Sequence, residues 1–193
     1  MATKHWILFL AILAIATCLR LHNLRVWALN NDEIAEVTWA SGTLRELFKE
    51  VREDTVHPPL DYLLQHALTR LGVAEWARRL PYVIAGILTI AFAGLLGNWW
   101  HSPRAGLAGA FLLAISPIHV RYSQEVRPYA TGIAFLVGAL VALELYAMSR
   151  RRPWAIAWFV LVLLAGGTLY LAGMVAGVAS IGRIFLDRDD RLR

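Results

Sequence analysis

Asp32 and Glu33 follow Asn30-Asn31 just beyond an apolar run that begins at Trp6. Glu125 lies in Tyr122-Ser123-Gln124-Glu125-Val126-Arg127-Pro128-Tyr129, between two further apolar runs. A carboxylate at the edge of the hydrocarbon is costly to desolvate, so it faces a polar cavity. Two acids at the same kind of boundary point to a site at the membrane surface. Their chemistry would be proton abstraction, by a carboxylate whose pKa partial burial raises. Asp32 and Glu125 together would equally suit a divalent cation, Mg2+ or Mn2+.

Cations stand close by in the sequence. Arg121 and Arg127 flank Glu125, and a guanidinium fork matches a phosphate better than an ammonium does; Tyr129 completes that cluster. His57, in His57-Pro58-Pro59, would either donate to a phosphate or cap the helix starting at Pro58. Arg78-Arg79 precedes Leu80-Pro81, with Arg79 a second phosphate candidate and Arg78 a snorkelling anchor. Plainer readings exist for each group. Acids in a first helical turn after an Asn cap are favoured by the macrodipole, and headgroup-facing arginines would take Glu125 as counter-ion. His66, His101 and His119 lack the spacing of a metal cluster. Gly166-Gly167 lies in an apolar run and reads as a packing or turn site.

The elements that must position these groups are apolar helices. The chain is 58% hydrophobic with a mean hydropathy of +0.52, which places it among polytopic membrane proteins. Trp6, Trp27, Trp99, Trp100 and Trp154 stand near the ends of apolar runs, as an interfacial belt requires. The net charge of +5 comes from arginines at membrane boundaries, so it signals headgroups and not nucleic acid. Cys18, the lone cysteine, excludes an intrachain disulfide. Spans are expected over residues 6–22, 79–98, 104–119, 128–148, 154–165 and 168–186, with short amphipathic surface helices in the loop 23–78. The first run has no small-residue cleavage site and reads as a retained span. Arg150-Arg151-Arg152 puts the end of the fourth span in the cytoplasm, so Asp32 and Glu125 fall on the outer face.

The order Asp32-Glu33, His57-Pro58-Pro59-Leu60, Arg79-Leu80-Pro81 with Ala85-Gly86, Ser116-Pro117 and Ser123-Gln124-Glu125-x-Arg127-Pro128-Tyr129 resembles glycosyltransferase family 39. These are relatives of the dolichyl-phosphate-mannose protein mannosyltransferases in the GT-C superfamily. The layout is also similar to that of the lipid A aminoarabinose transferases. The resemblance implies an all-α polytopic helix bundle in a bacterial inner membrane, and transfer with inversion from a polyprenyl-phosphate sugar to a lipid, glycan or protein acceptor. It places the catalytic acid on Asp32, with Glu33 completing the pair and Glu125 as a second acidic position. Arg127, His57, Arg79, Arg121 and Tyr129 would hold the donor phosphate. Asp61-Tyr62 stands where the mannosyltransferase branch often has Gly-Lys, so no lysine contact carries over there. Members are usually longer, and the chain reads as one membrane domain, residues 1–193, from the N-terminal part of such a transferase. The other function class open to it is a transporter or lipid flippase for an anionic substrate, which would place its charges near the bilayer midplane.

Overall fold

The computed structural model describes the backbone of residues 3–54 and 57–192. The fold is all-α, and no strand occurs among the described residues. The first long helix is α1, Thr3–Leu21; α2, Asn31–Ser41, α3, Leu44–Asp54, and α4, Leu60–Arg70, follow in the first loop. A 3-10 turn, Glu75–Arg79, leads into α5, Leu80–Trp100. After it come α6, Pro103–Ile115, α7, Pro117–Tyr122, α8, Tyr129–Ser149, α9, Arg152–Thr168, and α10, Tyr170–Leu192. Three stretches are long and apolar enough to cross a bilayer: Thr3–Leu21, Glu75–Trp100 and Tyr129–Ser149. Pro103–Ile115 and Arg152–Thr168 are shorter apolar helices. The chain is an integral membrane protein.

Local signals set the boundaries. Ser102 Oγ accepts from the Ala105 N–H at 3.2 Å with Pro103 in the first turn, the usual chemistry of a helix start. The expected span over residues 104–119 divides at Ser116, whose backbone is extended. Pro117 has no N–H and bars the preceding residue from helical geometry, so a separate α7 restarts there. Gly166-Gly167 does not break its helix, which runs to Thr168. A Cβ at Gly173 would overlap the Gly166 backbone, so these glycines allow α9 and α10 to touch. The charged tail beyond Arg183 lies outside the side chains described.

Antiparallel succession gathers the C-terminal ends of α1, α6 and α9 and the starts of α5, α8 and α10 at one end of the bundle. Helices α2–α4 and α7 cover that end. Near the opposite end of the bundle, α5 and α6 meet through glycine: a Cβ at Gly97 would stand 2.9 Å from Gly106 Cα. Phe9, Ala16, Ile90, Ala110 and Ala114 fill the space between α1, α5 and α6. In the covering layer, α4 caps α2. The His66 ring donates to the Ala40 carbonyl at 2.8 Å and Arg70 to the Gly42 carbonyl at 3.1 Å, satisfying C-terminal acceptors of α2. The inner face of α4 is polar: Tyr82 of α5 donates to Asp61 at 2.7 Å and accepts from Gln65 at 2.9 Å, all three buried. α3 buries Leu47 and leaves Leu44 and Phe48 exposed, the pattern of a surface helix.

Gly86 marks the closest approach between α5 and the segment after α7. A Cβ there would lie 2.8 Å from Ser123 Cβ and 3.2 Å from Arg20 Nε. Gly86→Ala is therefore expected to destabilise the bundle by roughly 1–3 kcal/mol, read as a lower midpoint of thermal unfolding in detergent. An unchanged midpoint would show that the two segments part freely.

Candidate functional site

Asn30 begins the site. Its side chain accepts from the Glu33 N–H at 3.0 Å, and Glu33 Oε2 accepts from the Asn30 N–H at 2.9 Å, a reciprocal capping box that starts α2. The carboxylate of Glu33, 1% exposed, also accepts from Arg79 Nε at 3.1 Å, Arg79 Nη2 at 2.9 Å and the Val126 N–H at 2.8 Å. Arg79 spends its remaining donors on the carbonyls of Leu24 at 3.3 Å, Trp27 at 2.8 Å and Ala28 at 3.2 Å. All five guanidinium N–H groups are thus used. Arg79 and Glu33, expected in phosphate-binding and catalytic roles, form a buried knot here, with each donor of Arg79 engaged by the protein.

The neighbouring residue faces the other way. Asp32 is exposed and lines a cleft of about 360 Å3 together with Asn30, Asn31, Arg121, Tyr122, Glu125, Arg127 and Tyr129. Asp32 and Glu125 therefore share one cavity. Glu125 is engaged there, accepting from Arg121 Nε at 2.8 Å, whereas Asp32 makes no hydrogen bond or ion pair among the described residues. Arg127, mostly buried, stands 3.5 Å from Glu36 and lies over the Tyr129 ring at 5.8 Å. Burial acts to lower its pKa, but Tyr129, Glu36 and Asp32 outweigh that and hold it above the ordinary arginine value. Its Nε is buried without a hydrogen-bond partner. His57 stands behind the cleft wall, its ring edge-on to Tyr129 at 6.2 Å, and Tyr129 leans on Tyr122 at 4.9 Å. The phosphate role expected of His57 is thus not matched by a place on the cleft surface.

Glu36, the acid behind Arg127, is the site residue that sequence reasoning missed. Its signal was its place one helical turn after Glu33, on the same face of α2. Asp61, which in the sequence stands out only as a departure from the mannosyltransferase pattern, joins α4, α5 and, through the Thr131 hydroxyl at 3.3 Å, α8.

Residues 56–186, more than half of the chain, match the family described as dolichyl-phosphate-mannose-protein mannosyltransferase. The chain belongs to that family. This mannosyltransferase-family protein is accordingly a membrane glycosyltransferase of the GT-C type. The matched stretch holds Arg79, Arg121, Glu125, Arg127 and Tyr129, while Asp32 and Glu33 precede it. No curated protein and no solved structure matches the chain.

The cleft of this mannosyltransferase-family chain rests on a platform built around Arg20. Fully buried at the end of α1, Arg20 donates to the carbonyls of Ala16, Ala114 and Leu113 at 3.0, 3.2 and 3.2 Å. It also donates to Ser123 Oγ at 3.3 Å and to His119 Nδ1 at 2.8 Å. A guanidinium only donates, so His119 Nδ1 must be an unprotonated acceptor. Beside it, Gln124 Nε2 donates to the carbonyls of Arg20 at 3.0 Å and His22 at 2.9 Å, capping α1. Through these bonds α1 holds α7 and the following turn, which carry half of the cleft residues.

Two measurements follow from this geometry. Arg79→Met leaves Glu33 as an uncompensated buried charge and should cost about 3–5 kcal/mol in stability; wild-type thermal stability would contradict the knot. Burial, and then the Arg20 charge, push His119 from 6.5 down to about 4. Between those values the unfolded chain binds the extra proton, so the contribution of His119 is complete above about pH 6.5 and fades toward pH 4. His119→Gln should flatten that part of the stability–pH curve relative to wild type, and an identical slope would remove His119 from the acid response.

Proposed function

We propose that the chain transfers a sugar from a polyprenyl-phosphate donor to a hydroxyl-bearing lipid, glycan or protein acceptor on the outer face of a bacterial inner membrane, with inversion at the anomeric carbon. The observation that carries this reading is the division of labour among neighbouring acids. Glu33 is consumed by Arg79, Glu125 is paired with Arg121, and Asp32 alone of the three enters the cleft with its lone pairs uncommitted.

In this reading Asp32 takes the proton of the acceptor hydroxyl as its oxygen attacks the anomeric carbon from the side opposite the phosphate. The bond from that carbon to the phosphate oxygen breaks, and its electron pair leaves with the lipid phosphate. Arg127, with Arg121 at the rim, stabilises the charge on the leaving group, and Tyr129 holds the Arg127 guanidinium in place from below. Fixing the base on a capped helix favours the aligned geometry that displacement requires. Asp32 and Glu125 are the carboxylates of the cleft that a divalent cation would use. The surrounding donor set fits one poorly: Arg121 and Arg127 already supply positive charge, and no three His, Cys, Asp or Glu side chains converge as a cation site among the described residues. The step is therefore written with arginine. Orientation rests on charge. Arg150–Arg152 form a short basic connection at the opposite end of the bundle, with Lys4 and Arg104 at the same end, and short basic connections of this kind stay cytoplasmic.

Asp32→Asn should lower turnover from a polyprenyl-phosphate sugar by about 100-fold or more while leaving donor affinity near wild type. Arg127→Ala should weaken donor binding, and it should also lower thermal stability, because it takes the cation from the buried Glu36. Retained turnover in the first variant would remove Asp32 from the base role, and unchanged donor affinity in the second would remove Arg127 from the phosphate.

A further inference from the structure

The end of the bundle opposite the cleft holds a second cavity that the proposed transfer does not use. It has a volume of about 810 Å3 and lies between α5, α8 and α10, walled by Trp99, Trp100, Leu140, Met148, Ala179 and Gly182. Glu144 closes its inner side. This carboxylate, 4% exposed, accepts from Trp100 Nε1 at 3.0 Å and from Arg183 Nε at 2.7 Å and Nη2 at 3.4 Å. Glu144 lies about 7.5 Å inside the end of α8 by the helical rise per residue, so the cavity sits within the outer part of one leaflet, with tryptophan at headgroup depth.

The charge balance at this end is one-sided. Among the side chains described, Glu144 is the acid placed there, and Arg183 neutralises it. Lys4, Arg104, Arg150, Arg151 and Arg152 are all exposed at this end of the bundle, and the last three begin two residues after Met148 on the cavity wall. A cavity that is apolar inside and cationic at its rim matches an amphiphile with hydrocarbon chains and an anionic head. A second copy is a poor occupant. Two copies in one bilayer hold the same end at the same depth, so pairing through this face would set arginine against arginine.

We propose that this cavity binds an anionic phospholipid of the leaflet opposite the cleft, with an acyl chain between α5, α8 and α10 and the phosphate on Arg150–Arg152. The experiment compares retention of phosphatidylglycerol and phosphatidylcholine of equal chain length by the full chain in mild detergent, read by native mass spectrometry. Wild type should retain phosphatidylglycerol with at least about tenfold preference. Ala179→Trp places an indole in the path of an acyl chain between α8 and α10 and should lower retention of both lipids. The combined Arg150→Asn, Arg151→Gln, Arg152→Gln variant should retain both without preference. All three side chains are exposed, so this variant decides the matter if the tryptophan variant fails to fold. Equal retention of the two lipids by wild type, an unchanged preference in the arginine variant, or wild-type retention by a folded Ala179→Trp protein would each overturn the site. A dimer that Ala179→Trp dissociates would assign the cavity to a second copy. Donor binding at the cleft should be unaffected in both variants, which separates this outcome from that of the transferase reading.

Discussion

The site end of this protein depends on one buried ion pair, Arg79 with Glu33. Two charges taken out of water are tolerated only when nearly every lone pair and proton finds a partner. Here the pair satisfies itself with backbone from three separate stretches: the loop at Leu24–Ala28, the first turn of α2, and Val126. It therefore acts as a positioning device. The cleft takes residues from both the start of α2 and the segment around Val126, and the knot holds the two in register. Because Glu33 must point inward to reach Arg79, its neighbour Asp32, about 100° further round the helix, is turned outward.

The two halves of the bundle meet the cost of membrane burial in different ways. Away from the cleft, small residues let helices approach until backbone touches backbone, as at Gly97 and Gly106, and dispersion does the holding. At the site end the interior carries Arg20, Glu33, Glu36, Asp61, Gln65 and Arg79, all buried. There cohesion comes from hydrogen bonds that join elements far apart in sequence, such as Arg20 to α6 and α7. The polar end is consequently the more directional of the two, and directional bonding suits a place where side chains must be aimed.

Much of this architecture was legible in the residues. Apolar runs gave the long helices, and serine-proline and asparagine-acid pairs marked their starts. The break at Ser116-Pro117 was visible as the motif that closes the third span, but α7 beyond it is six residues of mixed polarity, too short to be read as an element of its own. Roles within the site were less legible. Asp32 and Glu33 are adjacent and chemically alike; what separates them is contact with partners 46 and 93 positions away. Arg79 likewise looks like any boundary arginine until its five acceptors are seen together. Glu36 carried a faint signal in its helical phase, and the enclosure of Asp61 by Tyr82 and Thr131 carried none, since it arises only when α4 packs against α5 and α8.

The cap that Gln124 places on the last carbonyls of α1 couples the cleft to the bilayer itself. α1 shows most of its surface outward and packs on few neighbours, so its tilt answers to the thickness of the surrounding hydrocarbon. Glu125 follows Gln124 directly, and Arg20 joins the same helix end to His119 and Ser123. A change of tilt would thus be carried into the spacing of the cleft's charged groups. Hydrophobic mismatch then becomes a mechanical input to the site, one that reconstitution in short-chain and long-chain bilayers would expose as a difference in donor affinity.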